Sequence, residues 1–186
     1  MIKTWKYDLD ITKYTKVLEL HPESYGAYNN RGIAYQKKGQ HDLAIADFTR
    51  AIELNPEFVA AHINRGNAHQ EVGEYESSIA DLNKAIELGP ENSMAYNNRG
   101  FTFILMGQYE EAERDIRKSL ELSPNNIYAL NSMAELSAAR RNAPEACVWL
   151  TQAIEKGYNN WSYIRSSPTY DNIRDSLCFK KILSRI

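Results

Sequence analysis

Three stretches decide the fold: Tyr28-Asn29-Asn30-Arg31-Gly32, His62-Ile63-Asn64-Arg65-Gly66 and Tyr96-Asn97-Asn98-Arg99-Gly100. They stand 34 residues apart (62−28 and 96−62), and Pro22, Pro56, Pro90 and Pro124 keep the same interval. A constant interval of this size marks a chain of stacked structural repeats. Aligning Tyr25–Glu57, Val59–Glu91, Ser93–Asn125 and Ile127–Asn159 brings like residues into columns. The fourth position (Tyr28, His62, Tyr96, Leu130) and the twenty-fourth (Phe48, Leu82, Ile116, Leu150) are large. The eighth (Gly32, Gly66, Gly100, Ala134), the twentieth (Ala44, Ser78, Ala112, Ala146) and the twenty-seventh (Ala51, Ala85, Ser119, Ala153) are small.

Apolar residues at i, i+3, i+4 and i+7 predict two helices of roughly 14 residues in each repeat. Gly39, Gly73 and Gly107 end the first helix, and Pro56, Pro90 and Pro124 follow the second. Small residues allow the two helices to approach closely, and large ones fill the space between them. One helix hairpin cannot bury its faces alone, so the repeats must stack.

Two columns differ together. The seventh position reads Arg31, Arg65, Arg99 and then Met133, and the twenty-third reads Asp47, Asp81, Asp115 and then Trp149. Opposite charges leave the fourth repeat as a set and two apolar residues replace them. This predicts an Arg–Asp ion pair between the helices of one repeat; separate solvated charges are the alternative.

The ends depart from the pattern. Residues 7–21 align with the second helix of a repeat and predict a half-repeat cap at the front, although a truncated chain would read the same way. Residues 25–58, 59–92 and 93–126 are regular repeats, and 127–160 a divergent one, all within one expected domain of residues 1–186. After Asn160 the register is lost. Trp161–Arg165 predicts a short helix and 166–172 a connector, while Phe179, Ile182, Leu183 and Ile186 predict a one-sided helix. Residues 161–186 therefore read as capping helices, or else as a docking element for another subunit.

Composition limits function. Apolar residues are 43% of the chain, charged residues 25%, and the net charge is −2. That balance argues against a nucleic-acid partner, which needs a basic surface. No stretch of about 18 apolar residues is present to cross a membrane. Met1–Asp8 lacks the apolar core of a signal peptide, and the cytoplasm is the expected compartment. Cys147 and Cys178 match neither a metal pattern nor a disulfide framework and are expected as small buried apolar residues.

Chemistry-bearing motifs are not expected either. His62 and His69 share one helix face, but they stand in the columns of Tyr28/Tyr35 and Tyr96/Phe103 and read as core substitutes. No phosphate-binding glycine loop, nucleophile elbow or zinc motif occurs. The chain is expected to be no enzyme, with no metal and no cofactor.

These columns closely resemble those of the tetratricopeptide repeat family, across about Tyr7 to Asn160 and in the bacterial Asn-Arg-Gly style. The resemblance implies an all-α, right-handed superhelical solenoid of antiparallel helix pairs. It also implies that the first helices line a concave groove that binds a peptide or a protein. By the same resemblance, groove-facing positions hold Asn29, Asn30, Asn64, Asn67, Asn98, Phe101, Ile104 and Leu105. An asparagine carries both donor and acceptor, so a ladder of them suits the backbone of an extended peptide; the alternative is that they tie adjacent repeats together. Phe101, Ile104, Leu105 and Met94 would add an apolar patch, open to a partner's side chain or covered by the C-terminal segment. Family members that clamp acidic chaperone tails carry Lys at the fifth position and Asn at the ninth. Here those pairs are Asn29/Ile33, Ile63/Asn67 and Asn97/Phe101, so a tail clamp is not expected. The expected role is a scaffold or adaptor for a peptide or protein partner, the chain itself being a monomer or weak oligomer. The alternative is an assembly module that self-associates through its end helices or the Phe101 patch.

Overall fold

The computed structural model describes residues 4–184, and among these it is all-helical, with no strand. Helices run α1 Thr4–Leu20, α2 Tyr25–Lys37, α3 His41–Leu54, α4 Val59–Glu71 and α5 Tyr75–Leu88. They continue as α6 Ser93–Leu105, α7 Tyr109–Leu122, α8 Ile127–Ala139, α9 Ala143–Glu155, α10 Trp161–Ser166 and α11 Leu177–Leu183. The expected connector after α10 instead carries a 3-10 helix, Pro168–Ile173. Ile186, placed by periodicity on the apolar side of the last helix, lies outside the described residues. The chain divides into two compact units, Met1–Pro90 and Glu91–Ile186.

In each unit the pairs α2/α3, α4/α5, α6/α7 and α8/α9 form the repeats. Their first helices end alike. In α2 the N–H of Gln40 donates to the carbonyl of Tyr35 at 2.9 Å, across Gly39 at φ +75°. The same closure recurs from Glu74 to His69, from Gln108 to Phe103 and from Asn142 to Ser137. This turn needs a left-handed residue just past the helix. Gly73 and Gly107 supply it at φ +82° and +76°, but in the fourth repeat the position is Arg141, at φ +60°.

Close approach between paired helices centres on the eighth position. A Cβ added to Gly100 would sit 2.7 Å from Ile116 and 3.2 Å from the backbone oxygen of Ala112, so the paired helix blocks it. The fourth repeat tolerates Ala134, fully buried.

Beside this contact the predicted ion pair is present. Arg31 Nε and Nη2 donate to Asp47 at 2.7 and 2.8 Å. Arg65 binds Asp81 the same way at 2.8 and 2.6 Å, and Arg99 binds Asp115 at 2.6 and 2.7 Å. All three aspartates are buried. Hydrogen bonding to Asp47 raises the Arg31 pKa above its ordinary value, against the opposing effect of burial. In the fourth repeat Met133 and Trp149 pack instead into an apolar cluster with Ile104, Ala112, Ile116, Ala129 and Leu136.

The arginine also reaches backward. Arg31 Nη1 donates to Thr15 on α1 at 3.2 Å, and Arg65 Nη1 to Thr49 on α3 at 3.0 Å. Thr15 and Thr49 are 34 apart, so α1 stands to α2 as α3 stands to α4.

This packing makes two expectations about stability. Removing one partner of a buried pair leaves the other charge stranded, so Asp47→Ala should cost about 3 kcal/mol. The joint replacement Arg31→Met with Asp47→Leu puts two apolar residues at these positions, as the fourth repeat does with Met133 and Trp149, and should recover most of that loss in urea unfolding; a double variant as unstable as the single one would refute the pair. Arg141→Gly should raise stability by about 1 kcal/mol, because a left-handed backbone costs a side-chain-bearing residue about that much. Comparison of thermal midpoints checks it.

Candidate functional site

In Met1–Pro90, α2 and α4 pack side by side and carry four of the eight expected peptide contacts. Asn30 is exposed, Asn64 and Asn67 are half-buried, and Asn29 is buried. Asn64 Nδ2 donates to Asn29 Oδ1 at 2.9 Å. Further along the same pair of helices, Gln36 Nε2 donates to Glu71 Oε2 at 2.9 Å, and His41 Nδ1 lies 3.0 Å from that oxygen. Side chains at expected groove positions thus bridge neighbouring repeats. The Asn64 bond uses one amide N–H and leaves the side-chain oxygen out, so the residue keeps capacity for a ligand while its rotamer is held.

His62 is buried with Nε2 2.9 Å from the carbonyl oxygen of Pro56, and Nδ1 of half-buried His69 lies 2.6 Å from Glu74. No group of three or more His, Cys, Asp or Glu side chains among the described residues converges for a metal.

Glu91–Ile186 carries the other four residues, all on α6. Asn98 and Phe101 are half-buried, as is Leu105, while Ile104 is buried at 6% exposure. Ile104 belongs to the cluster formed with α7 and α8, and Phe101 packs against it. α6 packs on α8, the first helix of the fourth repeat, and this takes Ile104 into the core while Phe101 and Leu105 stay half-buried. Met94, by contrast, is exposed. Asn97 Nδ2 donates to Asn98 Oδ1 at 3.4 Å, and Asn97 Oδ1 is buried without a hydrogen-bond partner. Its counterpart Asn29 accepts from Asn64; the residue one repeat beyond Asn98 is Ser132, whose side chain carries no amide.

The fourth repeat holds polar chemistry that periodicity alone does not reveal. Glu135, at the ninth position, is 1% exposed. It accepts from Tyr163 Oη at 2.5 Å, Thr169 Oγ1 at 2.7 Å and Asn131 Nδ2 at 2.8 Å. Tyr170 Oη donates to Asn131 Oδ1 at 2.9 Å, doing for Asn131 what Asn64 does for Asn29. Burial pushes the Glu135 carboxyl up to about 7, against the three hydrogen bonds, which act the other way. Burial also raises the Tyr163, Tyr158 and Tyr170 hydroxyls, with the nearby Glu135 charge adding to it.

Cys147 and Cys178 are joined as a disulfide, with Cα atoms 6.1 Å apart. This corrects the expectation of two unpaired apolar cysteines. The pairing arises because α11 folds back onto α9, which a spacing of 31 residues cannot disclose.

The tetratricopeptide repeat family model matches residues 25–58, 59–92 and 93–126, which is more than half of the chain. The chain belongs to that family. No curated protein matches it. Among solved structures, MamA is 25% identical over 81% of this chain and 88% of its own, with a TM-score of 0.68. The first repeat domain of Spaghetti (RPAP3), solved with the HSP90 peptide SRMEEVD, is 29% identical over 62% of this chain and 92% of its own, at 0.59. The thermophilic repeat protein TTC0263 of Thermus thermophilus is 18% identical over 84% and 86%, at 0.75, a likeness of fold. The fold class is therefore the all-α helix-pair solenoid of this family.

The Glu135 value sets a pH dependence. A carboxyl whose pKa is about 7 folded and about 4.3 unfolded keeps a proton in the folded chain that the unfolded chain has lost. The stability this confers is full below about pH 4.5 and is lost as the pH rises through about 7. Glu135→Gln should flatten that slope, so wild type loses roughly 3 kcal/mol relative to the variant between pH 4.5 and pH 8 in urea titrations. Equal slopes in the two proteins would contradict it.

Proposed function

We propose that this chain is a non-enzymatic scaffold that binds an extended peptide or partner protein on the exposed side of its first helices. The observation that carries this reading is the α2/α4 face, where Asn29 holds Asn64 in place beside exposed Asn30 and half-buried Asn67. Side chains fixed before a ligand arrives lose less entropy on binding it. Asparagine bonds both groups of a peptide backbone, so the face suits partners of varied sequence. In Glu91–Ile186, Asn98 supplies the same chemistry on α6, and half-buried Phe101 and Leu105 border it with apolar surface; Ile104 contributes from beneath as packing.

The relative 29% identical to this chain was solved with an acidic HSP90 peptide. Peptide binding of that general kind fits the proposal, but the acidic specificity does not transfer. The fifth positions here are Asn29, Ile63 and Asn97, none of them cationic, and α4 ends with Glu71. A backbone-directed ligand matches this face better than a carboxylate-rich tail.

A second reading, self-association through the first helix, draws on Trp5 and Leu9, exposed at 59% and 60% on α1. Sedimentation over a hundredfold range of concentration separates the two readings: a strict monomer removes self-association.

The test of the first reading is the triple variant Asn30→Ala, Asn64→Ala, Asn98→Ala. It should lose capture of partners from the source cell, as measured by affinity purification and mass spectrometry. Loss of the Asn64–Asn29 bond should cost only about 1 kcal/mol of stability. Undiminished capture by a folded triple variant would overturn the assignment.

A further inference from the structure

The residues after Asn160 form neither a loose tail nor another regular repeat. α10, the 3-10 helix and α11 fold back on α8 and α9, and Ile164, Tyr170, Ile173 and Phe179 are buried there. The face they cover is the α8 equivalent of the proposed binding face. Asn131, Ser132, Glu135 and Ala138 hold the fifth, sixth, ninth and twelfth positions of the repeat, and all are buried. One repeat family thus displays two states of the same face. On α2 it is open at Asn30, and on α8 it is closed by a segment whose Tyr163, Thr169 and Tyr170 hydroxyls fill the polar groups beneath.

A covalent bond fixes this closure. Cys147 lies on α9 and Cys178 on α11, 31 residues apart in sequence, and their disulfide encloses both α10 and the 3-10 helix. Other ties in the covering segment are non-covalent and reversible. Arg174, for example, donates to the carbonyl oxygen of Ser167 at 2.8 Å and to that of Arg165, holding the turn between α10 and α11.

We propose that Cys147–Cys178 is a redox clasp: oxidised, it holds residues 161–183 as a strap over the α8 face, and reduced, it lets the strap open and presents Asn131, Ser132 and Glu135. Closure is ordinary thiol–disulfide exchange with a small-molecule disulfide such as oxidised glutathione. The thiolate of one cysteine attacks a sulfur of that disulfide and releases one thiol. The second cysteine's thiolate then attacks the mixed disulfide and releases the other. Two protein thiols are oxidised, the glutathione disulfide is reduced to two thiols, and two protons pass from protein to glutathione. A dithiol or phosphine reverses the change. The clasp is independent of the peptide-binding reading, since its readout involves no partner.

The experiment is hydrogen exchange read by mass spectrometry on the full chain, after oxidised glutathione and again after a phosphine. A cross-link closing a loop of this length restrains the open chain strongly. Reduction should therefore speed exchange in residues 161–183 and along α8 by roughly a hundredfold. Exchange in α2–α5 should stay unchanged, which shows that the chain remains folded. Cys178→Ser should exchange at the fast rate with or without phosphine. Strap protection indifferent to reduction would overturn the clasp. So would complete alkylation of both cysteines after treatment with oxidised glutathione.

Discussion

The structure rests on how closely the two helices of a repeat approach. A Cβ added at Gly66 or Gly100 would crowd the backbone oxygen of Ser78 or Ala112 on the paired helix at 3.2 Å, and one added at Gly32 would strike the Phe48 ring at 2.7 Å. That proximity places a bidentate Arg–Asp pair beside the contact, with the aspartate buried and the arginine extended to a threonine on the preceding helix where Thr15 and Thr49 stand. A fork-shaped guanidinium meeting a carboxylate fixes angle as well as distance. Each pair therefore sets the geometry inside a repeat, and the third donor of Arg31 and of Arg65 ties its repeat to the helix before. The fourth repeat shows the alternative solution, with Met133 and Trp149 in an apolar cluster. That repeat carries the load of packing the chain's irregular end, and its first helix is buried along nearly its whole length.

Side chains on the first helices hold repeats together, and in the proposed function they also meet a ligand. Asn29 and Asn64 do the former across α2 and α4, and this contact fixes the Asn64 side chain that the proposal assigns to the latter. The same column continues into different circumstances. Asn97 keeps a buried oxygen with no partner, and Asn131 is satisfied by Tyr170 from the covering segment. The asparagine is buried in all three cases, and what changes from repeat to repeat is the neighbour that satisfies it.

Much of this was legible in the sequence. The Arg–Asp pair could be read because both columns change together in the fourth repeat, so the chain contains its own comparison. Helix ends could be read from glycine and proline, whose backbone requirements are local. The left-handed residue at 141 follows from Gly107 by one more step of 34, though its being arginine hid the requirement. The burial of Ile104 was not legible, because its face is covered by α8, and groove-facing positions in a neighbouring repeat give no sign of that. Glu135 and the disulfide were out of reach for one reason: their partners lie 28 to 34 residues on, in a segment out of register, where periodicity carries no information.

The most direct measurement of the central claim is a hydrogen-exchange footprint of the full chain bound to whatever partner it captures, under oxidising conditions. New protection is expected on the first helices, with α2 and α4 foremost around Asn30, Asn64 and Asn67, and none on α8 beneath the strap. Protection confined to the second helices α3, α5 and α7, with α2 and α4 unchanged, would contradict it.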